Sequence, residues 1–339
     1  MNKEIENNDF VKGGVREEVP SIRLYEYSKV CGASIENKKS EDYPETFLLN
    51  KVEMGTNVKN QGTVGACVAC ATATAMEAIR LRSLLNLSEY EPMTEELLEA
   101  NKNKLFGNDE LSVGYTYSTC RYPDSTHEGM IVTVALDYLK EQGTVPQKLF
   151  DYLEEMPDIK ETAAKFPELA TEAEDHRIKS YVTMNYSNPR RDLEIKDALM
   201  RYRVPIVCVI PRKWNERHCV CIVGWDDIND SYYIKNSWGE SWGDNGVARI
   251  SKSEFNAEVY LLMDKDIKMP FEDVKVDDWF YSAVQHVYMS DLMNGKTDTQ
   301  FCPNEYITRA EFATAISRLM KKIDERFENF NKLMEEKFN

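Results

Sequence analysis

The sequence predicts an α+β fold of two lobes, a helical one followed by an antiparallel sheet or barrel, with a small helical module after them. Three observations carry this. First, residues 64–87 are rich in Ala, Leu, Met and Arg, all good helix formers, and residues 129–142 (GMIVTVALDYLKEQ) read as a second helix stopped by Gly143. Second, short β-branched apolar runs at 204–210, 219–225, 232–235 and 247–250 are separated by turn residues and read as strands. Third, the pattern changes near Asp266, after which residues 271–319 form a helix–loop–helix unit. Helices that precede strands argue for two layers, and the cleft between such lobes is a usual place for a site.

The elements follow in order. Residues 1–42 are polar and broken by Gly13-Gly14 and Pro20, and read as an N-terminal arm. A first domain is expected over 43–266. Its 64–87 helix opens on the small residues Gly65, Ala66, Ala69, Ala71 and Ala73, which let it lie close to another surface. Residues 150–177 are highly charged and should contain a solvated helix. A second module is expected over 267–319. There Thr308 is an N-cap with Glu311 three residues on, a capping box, and Trp279 and Phe312 read as core anchors. From Ile316 the apolar residues Met320, Ile323, Phe327, Phe330 and Met334 keep heptad spacing, so 320–339 read as a short coiled-coil helix able to assemble, a homotrimer included.

Composition narrows the functions. Acidic residues outnumber basic ones 58 to 42 and the net charge is −16, a field that repels polyanions and argues against nucleic acid as a partner. No apolar run is long enough to span a membrane. The opening MNKEIENNDFVKGGVREE has no apolar stretch of the kind a secretory signal needs. Of the eight cysteines, Cys208, Cys219 and Cys221 sit in apolar strand contexts, and mostly reduced thiols are expected. No cofactor is called for.

The chemistry concentrates in three places. Residues 58–67 (VKNQGTVGAC) are a Gly-rich loop running into a helix whose first turn carries Cys67. Free N–H groups and partial positive charge at a helix N-terminus favour thiolate over thiol. Alone, such a cysteine reads more readily as a small buried residue. The chain has four histidines, His127, His176, His218 and His286, and only His218 opens a strand of the sheet-forming half. Then Tyr232 to Gly239 (YYIKNSWG) places Asn236 where its amide could fix the imidazole tautomer, with Trp238 shielding the bond.

Taken together these segments resemble the papain-like cysteine peptidases: 58–67 the Gln-Gly-x-x-Gly-x-Cys signature, 218–225 (HCVCIVGW) the histidine strand, and 232–250 (YYIKNSWGESWGDNGVARI) the asparagine segment. The order Gln, Cys, His, Asn fits as well. The resemblance implies a papain-like two-lobed fold. It also implies Cys67 as nucleophile, His218 as base, Asn236 as orienting residue, and Gln61 as an oxyanion donor beside the Cys67 backbone N–H. Val64 and Val68 stand where many members have Cys and Trp, which points to the bacterial and viral branch. Arg217 replaces a common Asp or Asn before the histidine, and the 42-residue lead-in is short for an inhibitory propeptide.

Other readings of these residues exist. Cys67-Val68-Ala69-Cys70 is a C-x-x-C, and with His218, Cys219 and Cys221 a redox or zinc role can be drawn, but neither uses Asn236. A catalytically silent binding protein on the same fold and an acyl transferase using the same thioester are the rivals to hydrolysis of a protein or peptide substrate.

In the C-terminal module, Phe271-Glu272-Asp273-Val274, Trp279, Gly295 and Ile307-Thr308-Arg309-Ala310-Glu311-Phe312 resemble one S-layer homology motif. The resemblance implies binding to a bacterial secondary cell-wall polymer, with Arg309 and Trp279 as candidate contacts. Thr299 replaces a usual Gly, and such motifs usually come in threes. The module argues for a cell-surface or extracellular protein and the missing signal argues against ordinary export; release by lysis or carriage on a phage particle would reconcile them.

Overall fold

The computed structural model describes residues 15, 26–28, 30, 35, 37–55, 57–101, 110–120, 129–151, 168–185, 188–210, 217–255, 258–264, 269–275, 277–289 and 292–338, with side chains in the last helix described only as far as Asp324. The chain divides into two compact units, residues 1–18 with 33–266, and residues 19–32 with 267–339.

The first unit is organised around α1 (Cys67–Leu84), where nearly every residue from Cys67 to Ile79 is buried. Its Ala positions allow close approach on all sides, so the helix lacks the polar stripe of a surface helix. The buried Arg82 donates to the carbonyls of Ser88 and Glu91 at 2.7 and 2.8 Å. The helix begins three residues later than its composition predicts. Gly62 sits at φ +56°, and the Ala66 N–H turns back to the Val64 carbonyl at 2.8 Å, so 62–66 form turns instead.

Next come α2 (Glu95–Ala100), α3 (Val113–Cys120), α4 (Val132–Glu141), α5 (Leu169–Glu174) and α6 (Arg191–Tyr202). Helix α5 falls in the charged stretch predicted to hold a helix; residues 152–167 of that stretch lie outside the described residues. The seven strands are β1 (Thr46–Leu48), β2 (Ser180–Met184), β3 (Ile206–Ile210), β4 (His218–Asp226), β5 (Ser231–Lys235), β6 (Val247–Ser251) and β7 (Glu258–Met263). They form one sheet in the order β2-β7-β3-β4-β5-β6, with β1 added on β4, and every pairing is antiparallel. Strands β3 and β4 are buried along their whole length, and both α1 and α6 pack on β4. That explains apolar runs without alternation. Where β1 crosses β4, Gly224 is required: a Cβ there would lie 2.2 Å from the Phe47 carbonyl oxygen, and the β4–β5 register shifts at the same place. The seven described cysteines are all thiols, and Cys31 lies outside the described residues.

The second unit has α7 (Tyr281–Met289) and α8 (Arg309–Phe338). Phe271, Val274 and Val284 form its core, with Phe280, Tyr281, Tyr288 and Phe301 against them. The Asp273 carboxylate accepts from the Phe301 and Cys302 N–H groups at 2.9 and 2.7 Å and holds the returning chain. The expected capping box is present: the Glu311 N–H donates to Thr308 Oγ1 at 3.1 Å and the Thr308 N–H to Glu311 Oε2 at 2.7 Å.

Trp279 and Phe312 are not core anchors. Trp279 is 92% exposed and Phe312 58% exposed. Phe271 takes the position they were expected to fill, because one short motif has room for a single aromatic cluster. Ile316 and Met320 are also exposed, and α8 runs through residue 320 as one helix. The side chains of Phe327, Phe330 and Met334 lie outside the described residues. Among the described residues, no helix is long and apolar enough to cross a membrane.

Candidate active site

Cys67 is the first residue of α1, and Ala66 at the N-cap offers no side-chain oxygen to the helix N–H groups. A buried helix start without a side-chain cap presents partial positive charge to whatever faces it, here the Cys67 thiol. His218 is the first residue of β4, and Asn236 follows the last residue of β5. Cys221 pairs with Lys235 at the end of the β4–β5 ladder, which brings the start of β4 near the residues that follow β5. The observed contacts follow from this register. The Trp238 ring stacks on the His218 ring at 4.7 Å, and His218 Nε2 lies 2.7 Å from Asn236 Oδ1. Trp242 meets Trp238 edge-on at 5.6 Å and extends the cover.

The hydrogen bonds determine the tautomer. The Ser237 backbone N–H donates to Asn236 Oδ1 at 2.7 Å, so the atom facing the ring is the amide oxygen and not the nitrogen. An oxygen can only accept, hence His218 Nε2 carries the proton and donates. Nδ1 is then the lone-pair nitrogen; it is buried and makes no hydrogen bond among the described residues. The ring is held in one orientation, with Nδ1 as the nitrogen that can accept a proton. Burial pushes the His218 pKa down to about 4, against a smaller upward pull from Asn236. A thiolate neighbour would favour the imidazolium.

Gln61 is held from both ends. Its N–H donates to the Ser237 carbonyl at 2.9 Å, its Oε1 accepts from Ser237 Oγ at 2.7 Å, and its Nε2 donates to the Val64 carbonyl at 2.9 Å. The Gln61 side chain is thus oriented with its nitrogen toward the loop that leads into Cys67. Cys67, His218, Asn236 and Gln61 are all buried.

The other sequence candidates separate from this group. His176 packs on Arg80 and lies 3.6 Å from Glu172, His127 is outside the described residues, and so is the side chain of His286. Burial pushes the Cys70 thiol up to about 12, with Lys59 pulling the other way. Arg217 pairs with Glu258 at 2.7 Å, while its carbonyl accepts from the Val15 N–H at 3.2 Å. Val15 also bridges to Met130, so a piece of the lead-in runs beside His218. Trp279 and Arg309 belong to the second unit and are exposed.

Two features escape sequence reasoning. Ser237 ties Gln61 to the asparagine segment, yet a serine in a turn gives no signal of its own. Lys59, Glu77 and Glu110 form an ion cluster in which Lys59 and Glu77 are buried, and here a signal existed: Glu77 is the only acid in an otherwise apolar stretch of α1.

Comparison with known proteins places the chain by family. Residues 43–261 match the family described as papain family cysteine protease, and residues 270–313 match the S-layer homology domain. A viral cathepsin of Spodoptera litura multicapsid nucleopolyhedrovirus is 28% identical over 262 residues, 71% of this chain and 67% of the relative. Gamete and mating-type specific protein A of Dictyostelium discoideum is 26% identical over 63% of this chain and 44% of its own length. The chain therefore spans between under half and about two thirds of these relatives. Xylellain, a cysteine protease from Xylella fastidiosa, has a similar fold, with TM-score 0.54 and 18% identity, covering 75% of this chain and 96% of that one.

Proposed function

The chain belongs to the papain family of cysteine proteases, which makes it a cysteine-type peptidase, and from this premise we propose that Cys67, His218 and Asn236 are its triad and Gln61 its oxyanion donor. His218 Nδ1 takes the Cys67 proton, and the thiolate attacks a peptide carbonyl. The developing oxyanion is met by the Gln61 amide and the Cys67 N–H. Collapse transfers the imidazolium proton to the leaving amine and leaves a thioester on Cys67. Water, deprotonated by Nδ1, then releases the acid. The observation that carries this reading is the bond from the Ser237 N–H to Asn236 Oδ1, because it makes Nδ1 the basic nitrogen.

The test is labelling by an epoxide trap selective for cysteine peptidases, located by mass spectrometry. Modification at Cys67 with loss of turnover on a fluorogenic peptide supports the proposal. A Cys67 that ignores the epoxide but reacts with a general thiol reagent refutes it and leaves a silent binding protein. Amide adducts in place of free acid when an amine is added would make it an acyl transferase.

The S-layer homology domain supports a second part of the proposal, tethering to a cell-wall polymer. Trp279 at 92% exposure offers a ring for stacking on sugar, and Arg309 offers a guanidinium to acidic groups. Full-length protein should sediment with purified cell walls, and Trp279→Ala with Arg309→Ala should remain in the supernatant. Equal sedimentation of both would remove these residues from the wall contact.

A further inference from the structure

The ion cluster beneath the active site bears on how the oxyanion donors are aligned. Lys59 precedes Gln61 by two residues, and its Nζ lies 2.8 Å from Glu77 Oε1 and 3.2 Å from Glu110 Oε2. Both Lys59 and Glu77 are buried. Glu77 belongs to α1, the helix that begins at Cys67. Glu77 Oε1 also accepts from the Leu111 N–H at 2.8 Å, and Asn57 Nδ2 donates to Glu110 Oε1 at 2.9 Å. The cluster is therefore fixed from several directions.

The backbone of the same short segment is bonded elsewhere. The Lys59 carbonyl accepts from the Gly239 N–H at 3.0 Å, Asn60 bridges to Trp238, and the Gln61 N–H donates to the Ser237 carbonyl at 2.9 Å. Residues 59–61 thus lie along 237–239, the turn that carries Asn236 and Trp238. One side of the segment is attached to the asparagine turn. The other, through the Lys59 ammonium, is attached to the nucleophile's helix.

A buried ion pair is a poor way to gain stability, since desolvation offsets most of the attraction and a well-packed apolar side chain does as well or better. Its advantage is a fixed direction and length. We propose that Lys59 is a positioning residue for the peptidase reaction, its ammonium between Glu77 and Glu110 setting where the Gln61 amide stands relative to Cys67. This rests on the roles proposed above for Cys67 and Gln61. Lys59 touches no reacting atom; it acts through the loop.

The test uses full-length protein and compares two reactions of Cys67. Amide hydrolysis develops an oxyanion. Alkylation by iodoacetamide displaces iodide at a saturated carbon and develops none. Two variants are made. Lys59→Met strands the buried Glu77 carboxylate beside the part-exposed Glu110 and risks the fold; Lys59→Gln with Glu77→Gln removes both buried charges while keeping an acceptor for the Leu111 N–H. Assays are run where circular dichroism shows each variant folded.

The expected result is a fall in kcat of about 100-fold, the scale of losing one oxyanion donor, with KM within about threefold. The alkylation rate should stay within about twofold of the parent chain, and a peptide aldehyde, whose adduct carries the oxyanion, should weaken in step with kcat. Unchanged kcat in a folded variant overturns the proposal. So does a parallel loss of hydrolysis and alkylation, which would make Lys59 a support of the thiolate, and so does failure of both variants to fold. A parent chain that is alkylated but never hydrolyses a peptide refutes the peptidase roles themselves, an outcome separate from all of these.

Discussion

Cys67 and Cys70 stand one turn apart on α1, and the proposed mechanism gives them different work. Both are buried; Cys67 is at the uncapped helix start, while Cys70 lies a turn inside and its thiol is pushed up to about 12 by burial. A thiol that stays protonated is a poor nucleophile and a poor metal ligand. Cys67→Ala should therefore abolish peptide hydrolysis, whereas Cys70→Ala should keep kcat/KM within about threefold; loss of activity in both would revive a shared role for the pair. In the proposed mechanism Asn236 acts through the tautomer. Asn236→Ala leaves Nε2 without its acceptor, and kcat should fall on the order of 100-fold with KM nearly unchanged. His218 gives a stability prediction with a definite sign. Its folded pKa of about 4 lies below the ordinary 6.5, so the unfolded chain binds the proton first as pH falls. The stabilisation is complete above pH 6.5 and is lost as pH drops toward 4, roughly 3 kcal/mol for a shift of this size. The cleanest measurement is in a Cys67→Ala background, where no thiolate can pair with the ring. There, His218→Gln should flatten the fall in melting temperature between about pH 7 and pH 4.5.

At the scale of elements, the pairing of β1 with β4 is an unforgiving place in the first unit. Gly224→Ala sets a methyl 2.2 Å from the Phe47 carbonyl oxygen and 2.9 Å from Leu48 Cα, both backbone atoms of β1. The strand must lift away, which strips Phe47 from its stacking on Trp225 at 4.8 Å. A loss of at least about 2 kcal/mol in urea unfolding is expected. This pairing also indicates what could be read in advance. The strands β3 to β6 announce themselves through β-branched runs between turns, and the proposed triad through residue types that few other roles require. Strand β1 has three residues, too few for any periodicity. Helix α3 (VGYTYSTC) is built from residues that prefer strands. It is helical because Tyr115 is packed by Val145, Phe150 and Ala173, and because Ser112 Oγ accepts from the Tyr115 N–H at 2.9 Å. Helix α6 goes unassigned above although Ile195, Ala198 and Leu199 keep helical spacing and are buried, so that omission was avoidable. Ser237 was out of reach for another reason. Its hydrogen bond is made with Gln61, 176 positions away, which only the fold brings near.

For the whole molecule the open question is what covers the apolar row of the second unit. Ile307, Phe312, Ile316 and Met320 are all at least 40% exposed, and they lead into the heptad positions Ile323, Phe327, Phe330 and Met334 along the continuous helix α8. A stripe that starts on the folded module and continues along a 30-residue helix is suited to a copy of itself, because heptad spacing is self-complementary. Charge decides the conditions. The chain carries −16, but Arg309 to Phe338 contains seven basic and six acidic residues, so the helix that would pair is nearly neutral and repulsion arises from the rest of the molecule. Apolar contact between like-charged chains gains from screening. We therefore expect a homotrimer in sedimentation equilibrium at micromolar concentration, with its share rising between about 20 mM and 500 mM salt. Met320→Lys, which puts a charge in the middle of the row, should shift the population to monomer while peptide turnover stays at the parental rate. A monomer at every salt concentration would sink the trimer, and a single motif would then have to meet the wall polymer unaided. A dimer would keep self-association and discard the three-fold arrangement, the one that would supply three S-layer homology motifs from three chains.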